Sequence, residues 1–338
     1  MSEINNHDFY PDDFQFAHEE GEKLVDKTYK ATSYWKDVWG NFSKNKGAII
    51  GAIIIVIITL MAIIGPGMNE HTYKSITHGH ECLVPRIPGL EKIGIAKGYY
   101  KGVDQYAQKG VKDVYYWFGT DTQGRDIFTR VWSGTQVSLI IALAAVLVDI
   151  FIGMVYGLIS GFLGGRVDMY MQRFAEILNG IPTLVVVTLL GLVLKPGISS
   201  IIFSLILTGW IGMERIARAQ VLKVKEQEYI LASTTLGASK LRLIFKEVLP
   251  NIFGQVIITS MFSIPSAIFL EAYLSFMGLG VPAPMASLGS LVSEGYKSMT
   301  TYPHILMIPV AVLGILMLSF NLFADGLRDA FDPKMLNK

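Results

Sequence analysis

The stretch GAIIGAIIIVIITLMAIIG, residues 47–65, carries no charged side chain over 19 positions. As an α-helix it rises about 28 Å, close to the roughly 30 Å of hydrocarbon in a bilayer. The 46 residues before it are polar and aromatic, with no short apolar run and small-residue cleavage site. It therefore reads as a retained spanning helix and not as a signal peptide.

The rest of the chain agrees. Of 338 residues 51% are apolar and only 17% are charged, against about 25% charge in soluble domains. Five further apolar stretches follow, at Val137–Ser160, Ile177–Leu194, Ile198–Met213, Ile252–Phe276 and Ile305–Ala324. The third and fourth spans are separated by little more than Lys195-Pro196-Gly197, which reads as a tight helical hairpin. The expectation is an all-α integral membrane protein of six transmembrane helices. Pro182 and Pro265 are expected to bend the third and fifth spans. Gly153, Gly157, Gly161, Gly164 and Gly165 predict close helix approach along the second span and its exit.

Lys and Arg near the span ends set the direction. Lys36, Lys44 and Lys46 precede the first span, and Arg166 and Arg173 lie between the second and third. Arg215, Arg218, Lys223, Lys225, Lys240, Arg242 and Lys246 follow the fourth, and Arg328, Lys334 and Lys338 close the chain. The short opposing connections hold only Lys195 and Lys297. Six spans with both termini cytoplasmic put every basic cluster inside. The expected organisation is a cytoplasmic segment 1–46, a first span 47–65, an extracytoplasmic loop 66–134, a core 135–325 and a cytoplasmic tail 326–338.

Within the core, residues 214–250 form a cytoplasmic loop. Its stretch EYILASTTLGASKLRLIFKEVLPN, residues 228–251, shows no strand alternation. Glu228–Leu236 fits a short helix with Tyr229, Ala232, Ser233 and Leu236 on one face. Gly237 suits the left-handed turn that closes such a helix, and Ser239 suits the N-cap of a second. That second helix is expected to end at Pro250. The product is a helical hairpin whose small-residue tip, Ala232-Ser233-Thr234-Thr235, lets another protein approach, with no bulky anchor there. The alternative is an amphipathic connector lying on the membrane.

The spacing of Ala232, Gly237 and Leu249-Pro250 resembles the signature loop of permease subunits of ABC importers. Leu231, Ser233 and Glu247 stand where that pattern usually has Glu, Ala and Ile. GTDTQGRDIFTRVWSGTQVSL (Gly119–Leu139), GFLGGRVDMYMQRFAEILNGIP (Gly161–Pro182), FLEAYLSFMGLGVPAP (Phe269–Pro284) and DGLRDAFDP (Asp325–Pro333) are similar, in order, to the C-type subunit of oligopeptide and dipeptide importers. Leu288 replaces an expected Trp. The resemblance implies a type I ABC importer permease fold in a bacterial cell membrane, bathed in lipid. It implies pairing with a homologous second permease, two cytoplasmic ATPase subunits and an extracytoplasmic peptide-binding protein, with a peptide as cargo. Glu228, Tyr229, Ala232, Ser233, Leu236, Gly237 and Ala238 are then the expected ATPase-coupling residues.

No G-x-x-x-x-G-K-[ST] sequence occurs, so no nucleotide site is expected in this chain. ATP and Mg2+ would sit on the partner subunits, with no cofactor, metal or catalytic residue here. Cys82 is the single cysteine, which excludes an intrachain disulfide. No basic block with interleaved aromatics occurs, and no nucleic-acid partner is expected. Asp121, Arg125 and Asp126 read as a hydrogen-bonded turn leading into the second span. His78 and His80 give a weak metal signal.

Asp149 is sharper. It lies within the second span, where an ionised carboxylate costs at least a few kcal/mol, and is a pathway candidate. Glu271, near the outer end of the fifth span, has a counterpart in the family and is a packing or pathway candidate. A runner-up function follows, an ion-coupled secondary transporter using Asp149 and Glu271. A membrane scaffold with no transport role is a third. The six aromatics Tyr99, Tyr100, Tyr106, Tyr115, Tyr116 and Trp117 suit either a partner surface or the membrane interface.

Overall fold

A computed structural model describes residues 34–89, 96–111 and 113–331. The expectations placed on residues 1–33 and on the end of the tail, including Lys334 and Lys338, lie outside the described residues. A short helix α1 (Tyr34–Phe42) leads to the first span, α2 (Lys46–Ile64), whose cap Asn45 accepts from the Ala48 amide at 3.1 Å.

Between the first and second spans the chain builds a small module. Strands β1 (Tyr99–Tyr100) and β2 (Val103–Asp104) form a hairpin over Lys101-Gly102, both at positive φ, and Asp104 caps the single-turn helix α3 (Gln105–Gln108). Leu83, Tyr106, Val111 and Tyr116 are its core. Burial pushes the Tyr106 phenol well above its ordinary pKa, and its hydroxyl donates to the Val84 carbonyl at 2.9 Å. The aromatics thus divide. Tyr106 and Tyr116 pack internally, Trp117 meets the Phe128 ring at 4.7 Å, and Tyr100 donates to the Thr301 carbonyl.

The second span is one unbroken rod: α4 (Ile127–Val148), a π-helical segment Asp149–Met154, and α5 (Val155–Leu163). It starts at Ile127 and not at Val137. Asp126 caps it, and polar groups of the added turns, Thr129 and Arg130, are consumed by the loop network described below. The third span is broken: α6 (Gly165–Asn179) and α7 (Thr183–Leu194) meet at 75° around Pro182. The fourth comprises α8 (Ile198–Ser204), a π-helical segment Leu205–Gly209 and α9 (Ile211–Lys225).

After the hairpin helix α10 (Glu228–Thr235), the chain runs through α11 (Lys240–Arg242), π-helical Leu243–Val248 and α12 (Leu249–Phe276) without a break. The expectation that Pro250 ends the hairpin's second arm is therefore corrected. Pro250 follows closely on the π-helical segment Leu243–Val248, where the hydrogen-bond register of the helix changes, and the arm and the fifth span are one rod. A short α13 (Leu288–Tyr296) precedes the last span, α14 (His304–Phe331). Among the described residues five helices are long and apolar enough to cross a membrane, and the count is six with the bent α6–α7 pair taken as one span.

Glycines set the closest packing. A Cβ on Gly153 would stand 2.7 Å from Met213 Cβ, one on Gly161 would stand 3.0 Å from the Arg218 carbonyl, and one on Gly157 would strike the Glu214 carbonyl. All three neighbours belong to α9, so the second and fourth spans touch backbone to backbone. Gly164 and Gly165 do something else: both hold positive φ, 64° and 56°, and turn the chain from α5 into α6. Gly157→Val is expected to destabilise the folded protein by about 1–3 kcal/mol through overpacking, read as a lower melting temperature in detergent. An unchanged melting temperature would show that the two helices separate without cost.

Candidate coupling hairpin and buried carboxylates

In α10 a single apolar side chain faces inward. Ile230 is buried among Val221, Leu243 and Val248, with Phe162 at the edge of the same cluster. The Leu236, Gly237 and Ala238 amides donate to the Ala232, Thr234 and Ser233 carbonyls at 3.0, 3.0 and 3.1 Å, closing the helix. Gly237 takes φ +83°, which L side chains rarely adopt. Ser239 then starts the second arm, accepting from the Arg242 amide.

Glu228, Tyr229, Ala232, Leu236 and Gly237 all face solvent, while Ser233 and Ala238 are half-buried. The absence of bulky side chains at the tip is corrected here. Leu236 is 88% exposed, and Leu231, Leu241 and Phe245 each show more than half their surface. Two leucines flank the small residues, and the second arm adds two further apolar side chains. Partial burial, then the Glu247 charge, push the Tyr229 phenol up, keeping it a neutral hydrogen-bonding group.

Asp149 opens the π-helical segment of the second span and is 96% buried, since only 4% of its surface is exposed. The Ser263 hydroxyl of α12 lies beside its carboxylate, and Oδ2 has no hydrogen-bond partner. It lines a cavity of about 190 Å³ between the second, fourth and fifth spans, where Leu205 and Gly209 mark the π-helical turn of the fourth.

Glu271 is not brought into that cavity. It is fully buried and accepts from Ser138 at 3.2 Å, Ser275 at 2.7 Å and Ser287 at 2.5 Å. These serines come from α4, α12 and the cap of α13, so Glu271 ties three elements together. Glu271→Leu leaves three buried hydroxyls without their acceptor. It is expected to cost several kcal/mol, at about 1–3 kcal/mol for each orphaned group, seen as loss of folded protein after detergent extraction. Recovery equal to the parent protein would show that the three hydroxyls find other acceptors.

The Asp121 turn is larger than its sequence suggested. Asp121 accepts from the amides of Gln123 and Arg125 at 2.8 and 3.0 Å and pairs with Arg125 Nε at 2.7 Å. Arg130 and Arg125 also reach Glu294 on α13, at 2.7 and 2.9 Å. Arg130 and Glu294, 164 residues apart, carried no local signal. A second network pins α6 to α9, with Arg218 on Asp168 at 2.6 and 2.7 Å and Gln172 on Glu214 at 2.6 Å. Glu214 was likewise missed.

Elsewhere, His80 spends a ring nitrogen on the Tyr116 hydroxyl at 2.7 Å, and burial pushes its pKa down. Burial pushes the Cys82 thiol up, which disfavours a reactive thiolate. Among the described residues no three His, Cys, Asp or Glu side chains are grouped to hold a metal.

Residues 153–337 match the family described as binding-protein-dependent transport system inner membrane component, and residues 33–81 match the N-terminal transmembrane domain of oligopeptide transport permease C. The chain is 44% identical over 306 residues to the oligopeptide transport system permease protein OppC of Bacillus subtilis, covering 90% of this chain and 92% of that one. It is 43% identical over 338 residues to the dipeptide transport system permease protein DppC of Lactococcus lactis, covering 95% and 97%. Among solved structures, a chain of the inward-facing MetNI methionine ABC transporter superposes with a TM-score of 0.50 at 16% identity, covering 60% of this chain and 97% of that chain.

Proposed function

The chain belongs to the binding-protein-dependent transport inner membrane components, ABC importer permeases of the oligopeptide and dipeptide C type, and from that premise we propose that it forms half of an ATP-driven passage for peptides. The other half is a homologous permease. Two cytoplasmic ATPase subunits carry the ATP and Mg2+, and an extracytoplasmic binding protein delivers the cargo. The α10 hairpin and both termini face the cytoplasm in this reading, consistent with the basic clusters at that end. The 65–126 module faces outward.

The observation that carries the reading is mechanical. An exposed apolar tip, held to the bundle by Ile230, sits at the turn into a rod that runs unbroken from Lys240 to Phe276. Docked in an ATPase cleft, Leu231, Leu236 and the small residues between them would move with that subunit. The rod transmits the displacement to the fifth span, which packs on α4, α9, α13 and α14. Two packings of these helices, one open to each side, then exchange as ATP closes the ATPase pair. The ion-coupled alternative loses half its machinery, because the serines occupy Glu271 and leave Asp149 alone.

The test is affinity purification of the tagged chain in mild detergent, followed by reconstitution with the recovered partners. Stoichiometric recovery of a second permease and ATPase subunits, with peptide uptake that requires ATP, is the expected result. A chain recovered alone that moves substrate without ATP would overturn the reading.

A further inference from the structure

The cavity beside Asp149 has an unusual chemistry: it offers acceptors and no free donor. Asp149 Oδ2 is buried and unpartnered. The Ser266 hydroxyl is committed to the Phe262 carbonyl at 3.0 Å, and the Ser263 hydroxyl lies between the Asp149 carboxylate and the Thr259 carbonyl, 3.3 Å away. Each serine oxygen therefore keeps lone pairs but no spare proton. No basic side chain lines the cavity, whose remaining walls are Ala, Val, Leu and Gly. A ligand that donates satisfies this site, and a positive charge on it offsets the cost of burying a carboxylate that otherwise takes up a proton.

The fold also provides an approach. Asn251, Gln255, Thr259, Ser263 and Ser266 recur every three or four residues along the spanning rod, which puts them on one stripe of the helix. Asn251 and Gln255 also line a wide cleft of about 760 Å³ at the hairpin end. The stripe is the polar face of the fifth span, and Asp149 stands beside it at Ser263. At about 190 Å³ the cavity exceeds the roughly 30 Å³ share of one water.

We infer that Asp149, with Ser263 and Ser266, forms a subsite for an ammonium group of the cargo in transit. An ammonium has three donors and no acceptor, the complement of the three oxygens. The inference rests on the peptide-permease reading and deepens it by assigning a charge-recognition point within the passage. A peptide's amino terminus and a lysine side chain supply the same chemistry.

The experiment treats the purified complex with a hydrophobic carbodiimide, which activates carboxyls in apolar surroundings, and follows the unmodified Asp149 carboxyl by peptide mapping, so that an amide formed by attack of an added amine counts as modification and not as protection. Glycinamide carries an α-ammonium, N-acetyl-lysinamide a side-chain ammonium, and N-acetylglycinamide none. Protection by glycinamide alone assigns the subsite to amino termini, and protection by both amines assigns it to either source. Protection by N-acetylglycinamide or by sodium ions to the same degree would overturn the inference. Uptake supplies the second measurement. In proteoliposomes, Asp149→Asn is expected to slow uptake of trialanine at least about tenfold, the equivalent of one hydrogen bond to a charged group, with stimulated ATP hydrolysis retained and Asp149→Glu recovering uptake. Unchanged trialanine uptake by the Asn variant sinks the subsite alone. Absence of ATP-dependent uptake by the parent complex sinks the peptide reading instead.

Discussion

Leu236→Asp and Ala232→Glu are each expected to abolish peptide uptake while leaving the chain folded and in the membrane. Leu236 is 88% exposed and Ala232 faces solvent, so neither change disturbs the bundle's own packing. Their effect arises only when a partner covers the tip. Burying a leucine contributes about 1.5–3 kcal/mol, and a carboxylate in its place adds the cost of a charge removed from water. The two together predict at least a hundredfold weaker recovery of the ATPase with the tagged chain, at roughly 1.4 kcal/mol per factor of ten. Gly237→Trp acts by another route: the site has room for a side chain, but φ +83° costs a non-glycine residue about 1–2 kcal/mol. It is expected to reorient the tip and stop uptake. Uptake at the parent level by any of the three, in correctly inserted protein, would remove the hairpin from the coupling route.

Much of the fold could be read because lipid imposes long apolar runs. Residues 47–64 and 305–324 fall inside α2 and α14. The misreadings have one cause, polar or breaking residues inside spans. Thr129 and Arg130 lower the hydropathy ahead of Val137, yet the Thr129 hydroxyl donates to Asp126, the terminal guanidinium nitrogens of Arg130 donate to Glu294, and the helix includes both residues. Pro250 looked like a stop because a proline lacks an N–H, yet the helix carries it where the π-helical segment passes into α12. The π-helical segments at 149–154, 205–209 and 243–248 have no one-residue signature.

The sites divide in the same way. The hairpin could be read from Gly237 and Ser239, since a positive φ and an N-cap are local demands. The exposure of Leu231 and Leu236 could not, because only the docking of Ile230 decides which side of α10 turns inward. Asp149 announced itself as a charge inside an apolar run. The difference between it and Glu271, one oxygen free against three hydroxyl partners, depends on Ser138, Ser263 and Ser287, whose pairing with these carboxylates is made by the tertiary fold and not by sequence spacing.

Lys246→Pro should uncouple the two halves of the machine. Lys246 is exposed within the π-helical segment Leu243–Val248, between the docking tip and the fifth span. A proline there removes one backbone donor and forces its ring toward the preceding turn, at a cost of about 3 kcal/mol or more. The rod relieves that strain by kinking at the point where displacement has to pass. Pro250 a few residues on is accommodated where the π-helical register passes into α12, so the contrast isolates position from residue type. The expected result is a complex that still recovers its ATPase subunits and still hydrolyses ATP, with uptake reduced at least about tenfold, while Lys246→Ala stays near the parent because a surface substitution shifts stability by only about 0.5 kcal/mol. Peptide transported per ATP is the quantity to measure. A ratio unchanged by the proline would mean that the tip and the fifth span communicate through α9 and the Ile230 cluster, and that the continuity of the rod is incidental.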